Sequence, residues 1–202
     1  MKRELITLLL FIILTAGLAG QQHPEQPQLR YDENQSMTWE EAITFYRDLD
    51  ERYSEATLLE MGMTDAGRPL HLFIISADGE SDPEEIRRQG KTIVLINNGI
   101  HPGEPEGIDA SALFAADLLA NKDRMKRYLH SCSVAIIPVY NIGGALTRSR
   151  YWRINQNGPE EKGARRNTRF LDLNRDFVKQ DSRDARAFAE IYRFLDPDLF
   201  LD

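Results

Sequence analysis

Apolar and polar positions along this chain follow two rhythms, and the switches between them mark its elements. After Thr38, the stripe Ile43, Tyr46, Leu49 and Tyr53 recurs at helical spacing, which predicts a helix with one buried face. Thr38 at its start and Glu41 three residues on fit a capping box. Residues 55–63 and 69–76 are strand-like runs on either side of Asp65-Ala66-Gly67-Arg68, and together they predict a hairpin. His71 falls inside the second run and reads as a packed sheet residue rather than a ligand. Residues 78–90 read as a polar loop with a short helix near Pro83. TIVLIN over 92–97 is a compact apolar run, as in a strand buried on both faces. Residues 105–120 predict a helix with Pro105 in its first turn. A second buried strand is expected over 133–139, a helix over 181–195, and the start of a further strand over 198–201. Strands alternating with helices indicate an α/β fold: a mixed, largely parallel central sheet flanked by helices, incomplete at its C-terminal end.

The N-terminus reads as an address. Met1-Lys2-Arg3-Glu4 is polar, 5–14 is apolar apart from Thr7, and Gly17 and Ala19 are small. This pattern predicts a signal peptide over 1–19, cut after Ala19. The apolar run is short for a bilayer span, which takes ~20 residues, so no membrane span is expected after cleavage. The mature protein is expected outside the cytoplasm, secreted or periplasmic. Residues 20–37 are rich in Gln and Pro and read as a flexible lead-in, with His23 solvated; the folded domain is expected over 38–202.

Composition narrows the function classes. Lys+Arg number 25 against 32 Asp+Glu, a formal charge of −7. A nucleic-acid partner is disfavoured, because neutralising phosphates needs clustered cations. Cys132 is the single cysteine, which excludes a disulfide scaffold and a Cys-rich zinc module. Hydrophobic residues make up 42%, enough for a core.

Two segments carry candidate chemistry. The first is Asn97-Asn98-Gly99-Ile100-His101-Pro102-Gly103-Glu104-Pro105-Glu106-Gly107. A bare His-x-x-Glu says little, but this one lies between a buried strand and a helix, where ligand sites of open α/β sheets occur. Gly99, Pro102 and Gly103 shape a turn that can aim imidazole and carboxylate at one cation, and both donors suit zinc. Alternatively Glu104 only favours a helix N-terminus. The second segment, 163–177, combines Arg165, Arg166 and Arg169 with Asp172-Leu173-Asn174-Arg175-Asp176-Phe177. A guanidinium can clamp a carboxylate with two parallel hydrogen bonds, and another near a metal can stabilise an oxyanion. Alternatively the segment is a solvated basic loop.

Together the two segments resemble the zinc carboxypeptidase family. His101-Pro102-Gly103-Glu104-Pro105-Glu106-Gly107 is similar to its first metal motif, and Asp172-Leu173-Asn174-Arg175-Asp176-Phe177 to its Asp-x-Asn-Arg-(Asn/Asp)-Phe motif. The intervening strand and Asn141-Ile142-Gly143-Gly144 also match, so the resemblance covers roughly residues 38 to 202. It implies one Zn2+ bound by His101 and Glu104, with Asp172 orienting His101. It implies that Asn174 and Arg175 grip a substrate's terminal carboxylate. Arg165 would hold the oxyanion, with Arg166 and Arg153 as fallback candidates. The family's third ligand, a His, is expected just beyond Asp202, and its general-base Glu later still. The resemblance therefore implies a full-length metallocarboxypeptidase that hydrolyses C-terminal peptide bonds, of which these residues form an inactive, weakly zinc-binding part. Its partners would be peptide or protein C-termini, cell-wall peptides among the options. Two other readings stay open: an aspartoacylase-like zinc amidohydrolase, and an exported module that binds peptide C-termini without cutting.

Overall fold

The computed structural model describes Pro27 and residues 29–202. The expected signal peptide, its cleavage site and His23 lie outside the described residues.

The first helix, α1 (Trp39–Arg52), opens on the anticipated capping box. Thr38 Oγ1 accepts the Glu41 N–H at 3.2 Å, and Glu41 accepts the Thr38 N–H at 2.7 Å. Arg30 grips the same carboxylate through both guanidinium ends, at 2.8 and 3.2 Å. Met37 is buried in the core. The described part of the expected flexible lead-in is therefore attached to the domain, by an apolar anchor and a forked ion pair.

The chain continues through β1 (Ala56–Met63), β2 (Pro69–Ile75), α2 (Pro83–Arg88) and β3 (Thr92–Asn97). It then forms α3 (Glu106–Ala120), α4 (Lys122–Tyr128), β4 (Cys132–Ile137), α5 (Ile142–Leu146), β5 (Arg148–Ser149), β6 (Lys162–Gly163), α6 (Arg183–Leu195) and β7 (Leu199–Leu201). The hairpin turn between β1 and β2 places Gly67 at φ +69°, where a side chain would be strained. Two helices escape the hydrophobic pattern. One is α4 (KDRMKRY), which buries only Met125, and the other is the five-residue α5, which Asn141 caps at Gly144 N–H. Pro105 stands at the N-cap of α3 rather than inside its first turn.

The strands order as β1-β2-β4-β3-β7. The β1–β2 and β2–β4 pairs are antiparallel, whereas β4–β3 and β3–β7 are parallel. The sheet is thus mixed, as anticipated, with its parallel half at the β3 side. Alternation along β2 divides the core. Phe73 and Ile75 pack with Tyr46 of α1 and Ala112 of α3 on one face. Leu72 and Ile74 pack with Ile86 of α2 and Phe188 and Ile191 of α6 on the other. His71 is buried within β2, its ring 6.1 Å from that of Trp39, and burial holds its imidazole below the ordinary pKa.

This topology places a crevice. From β3 the chain passes over one face, through α3, to β4 on one side. It returns over the other face, through α6, to β7 on the opposite side. The carboxyl ends of β3 and β7 therefore flank a topological switch point, where open α/β sheets bind ligands.

Candidate active site

The residues after β3 turn sharply at that crevice. Gly99 takes φ +67°, and a Cβ there would meet the Ile108 side chain at 3.0 Å. The turn is tied to the strand beside it: Tyr140 N–H donates to Asn98 O at 2.7 Å and Asn141 N–H to Gly99 O at 3.1 Å. Glu104 N–H donates to His101 O at 2.8 Å, closing the loop before α3. His101 is 5% exposed and Glu104 half exposed, with Nδ1 and Oε1 3.7 Å apart. That is too long for a hydrogen bond. A tetrahedral zinc bonded to both atoms would separate them by about 3.4 Å, so the pair fits a shared cation after a small adjustment. Among the described residues no group of three or more His, Cys, Asp or Glu forms a metal cluster. Among the described residues, His101 and Glu104 are therefore the two donors placed to share a cation here.

The other imidazole nitrogen is fixed by the second motif. His101 Nε2 lies 3.1 Å from Asp172 Oδ1. Asp172 Oδ2 accepts Arg165 Nε at 3.0 Å and is 3.0 Å from its Nη2. Oδ1 also accepts the Asn174 N–H at 3.1 Å, so Asp172 caps the 3-10 turn Leu173–Arg175. Partial burial pushes the Asp172 carboxyl up. The hydrogen bonds from His101 and Arg165, and the Arg165 charge, outweigh it and hold the group below the usual range.

Asn141 locks the two motifs together. Its buried side-chain amide donates to Ile100 O at 3.3 Å and to Arg165 O at 3.1 Å, while its oxygen accepts Gly144 N–H at 2.8 Å. Ala164 N–H donates to Gly144 O at 2.9 Å. A Cβ on Gly144 would stand 2.4 Å from Ala164 O, which accounts for a glycine in α5. Asn167 shapes the next turn. It accepts from Arg169 and Leu171 N–H at 3.0 and 2.9 Å and donates to buried Asp184 at 3.2 Å.

His101, Glu104, Asp172 and Arg165 thus form one connected group. Asn174 and Arg175 lie within that 3-10 turn, both exposed, with Arg175 Nη1 donating to Asn174 O at 2.8 Å. The two fallback arginines part ways: one stays outside this group and the other joins it. Arg166 donates to Phe170 O at 2.8 Å within its own turn, and Arg153 ion-pairs Glu104. Sequence reasoning missed the roles of Asn141, Asn167 and Asp184. It also missed Asp202, which accepts Asn97 Nδ2 at 2.7 Å and joins the ends of β7 and β3. None of these carries a local pattern; the order of Asn141-Ile142-Gly143-Gly144 between the two motifs was the one available signal.

The chain is similar to known proteins in sequence and in fold. A family model described as zinc carboxypeptidase matches residues 42–194. Carboxypeptidase 2 of Trichophyton rubrum is 25% identical over 139 residues, covering 69% of this chain and 23% of that protein. Carboxypeptidase 2 of Trichophyton tonsurans is 24% identical over the same length. Among solved structures, a metallo-carboxypeptidase from Burkholderia cenocepacia superposes with a TM-score of 0.62 at 20% identity, over 82% of this chain and 40% of that one. Bovine thrombin-activatable fibrinolysis inhibitor, in complex with tick carboxypeptidase inhibitor, gives 0.58 at 17% identity, over 80% and 57%. The chain spans about a quarter of the length of the curated relatives it matches.

Proposed function

The chain belongs to the zinc carboxypeptidase family, and from that premise we propose that the full-length protein is a zinc-dependent exopeptidase that removes C-terminal residues from peptides. His101 Nδ1 and Glu104 hold the ion. Zinc, when bound, polarises the scissile carbonyl and acidifies water. Asn174 and Arg175 bind the free terminal carboxylate, and Arg165 donates to the oxyanion. Asp172, an acceptor at Nε2, keeps the proton there and leaves the Nδ1 lone pair for the metal.

The observation that carries this reading is the double engagement of Asp172. One oxygen meets His101 and the other Arg165, so the metal pair and the anion-binding arginine share one carboxylate. A lone metal loop or a lone basic loop would not need that bridge. An aspartoacylase-like amidohydrolase and a non-cutting binding module are less well supported, because the matched family is that of carboxypeptidases. The apolar leader over 5–14 supports export, and no helix among the described residues is long and apolar enough to cross a membrane. A third ligand would continue from β7, whose carboxyl end lies beside β3. Catalytic zinc typically takes three protein ligands. With two donors placed among the described residues, this part of the protein binds zinc weakly and does not turn over substrate.

The test is binding rather than turnover. A fluorescent peptide with a free C-terminus should bind at least about tenfold more tightly than its amide, and Arg175→Ala should erase the difference. Equal affinity for acid and amide in the unmodified chain would refute the exopeptidase reading.

A further inference from the structure

The connection between β5 and β6 reaches back over the metal loop and delivers one side chain to it. Arg153 takes φ +53°, a left-handed backbone unusual for a residue with a Cβ. Its side chain, 23% exposed, runs along Gly103: a Cβ on that glycine would meet Arg153 Cδ and Nε at 2.9 Å. Gln156 pins the same loop by donating to Gly103 O at 2.8 Å and to Gly158 O at 2.7 Å. Trp152 Nε1 fixes the other flank by donating to Thr147 O at 3.0 Å. The guanidinium reaches Glu104 Oε1. This is the oxygen that stands 3.7 Å from His101 Nδ1, the atom a cation would share with that imidazole. Arg153 Nε is buried with no hydrogen-bond partner, and among the described residues Glu104 is the carboxylate with which this guanidinium pairs, through Nη2.

A divalent ion and a guanidinium cannot both take that oxygen without repulsion, since each needs the same negative charge at close range. We infer that Arg153 is a positioning residue for Glu104 and the built-in counter-ion of the metal site. It holds the Glu104 carboxylate over the crevice while no cation is bound, and it yields that oxygen when one enters. The inference rests on the reading of His101 and Glu104 as the metal pair. It makes the empty site ordered rather than self-repelling, and it lowers zinc affinity by the cost of breaking the ion pair.

The experiment is a zinc titration against a chromophoric chelator, with thermal melts in EDTA and in excess zinc. It compares the unmodified chain with Arg153→Met, Arg153→Lys and Glu104→Gln. Arg153→Met should bind zinc about three- to tenfold more tightly, the size expected for two coupled neighbours. It should melt lower than the unmodified chain in EDTA, and the gap should narrow in zinc. Arg153→Lys keeps the charge without the fork and should fall between the two, which also covers the case in which Arg153→Met does not fold. Zinc affinity that is unchanged or weaker in the folded Arg153 variants would overturn the inference while leaving the metal pair intact. Unchanged affinity in Glu104→Gln, or no zinc uptake by any of the proteins, would overturn the metal pair and the inference with it.

Discussion

Asp172 Oδ1 stands 3.1 Å from His101 Nε2, joining residues 71 positions apart in sequence. A carboxylate only accepts, so the imidazole proton belongs on Nε2 and the lone pair on Nδ1, toward Glu104. Asp172→Asn keeps the shape and removes the charge. Zinc affinity, read by chelator competition, should fall about 10- to 100-fold. Because the folded carboxyl is held below its ordinary pKa, its contribution to stability is full above the unfolded value near 4 and is lost as pH falls through the folded value. Urea midpoints of the variant and the parent should therefore converge in acid.

Asn141→Ala tests the clamp between the two motifs. The substitution leaves Ile100 O, Arg165 O and the Gly144 N–H without their partner in a buried setting. The expected loss is about 2–4 kcal/mol in urea unfolding. Hydrogen exchange should show the Gly144 and Ala164 amides losing protection before those of β3. Retained protection at Gly144 would show that the clamp is dispensable.

Asp184 predicts the opposite pH behaviour. It is fully buried, accepts from the Asp65 N–H and Asn167 Nδ2 at its Oδ2, and leaves Oδ1 unpaired with protein. Burial is the main cause pushing its carboxyl up, and the Asp65 side chain adds to it. A raised folded pKa means the native state holds the proton more tightly than the unfolded chain. Stability from this group is thus present near pH 4 and declines as pH rises through the folded value. Asp184→Asn should be about 1–3 kcal/mol more stable than the parent at pH 7.5, with the difference gone near pH 4. A less stable variant at pH 7.5 would mean that the charge at the start of α6 outweighs its burial.

Thr38→Ala serves as a control away from the crevice. Losing the cap on Glu41 should cost about 1 kcal/mol, seen as a lower melting temperature, with zinc affinity unchanged. A change in zinc binding would couple α1 to the site, which no contact of the cap supports.

Much of the fold was legible because it is local. The stripe of α1, the hairpin around Gly67 and the buried run of β3 each report a period or a turn that neighbouring residues enforce. His101 and Glu104 were legible for the same reason: three residues apart in a turn made by Gly99 and Gly103, they cannot separate far. The helices α4 and α5 were not. One is almost wholly polar and held by Met125, and the other is a glycine-rich turn that exists because the loop around Ala164 packs on it.

The sequence by itself determined the strand and helix alternation, a turn that sets an imidazole three residues from an acid, and a segment rich in arginine. Only the tertiary structure decided which arginine meets which carboxylate: Arg165 on Asp172, Arg153 on Glu104, Arg166 on neither. Those choices depend on how β3 and β7 flank the crevice and on how the connection between β5 and β6 folds back over it. Contacts that span tens of residues leave no periodic trace in the chain, because they are set by where the backbone goes and not by what stands next to what.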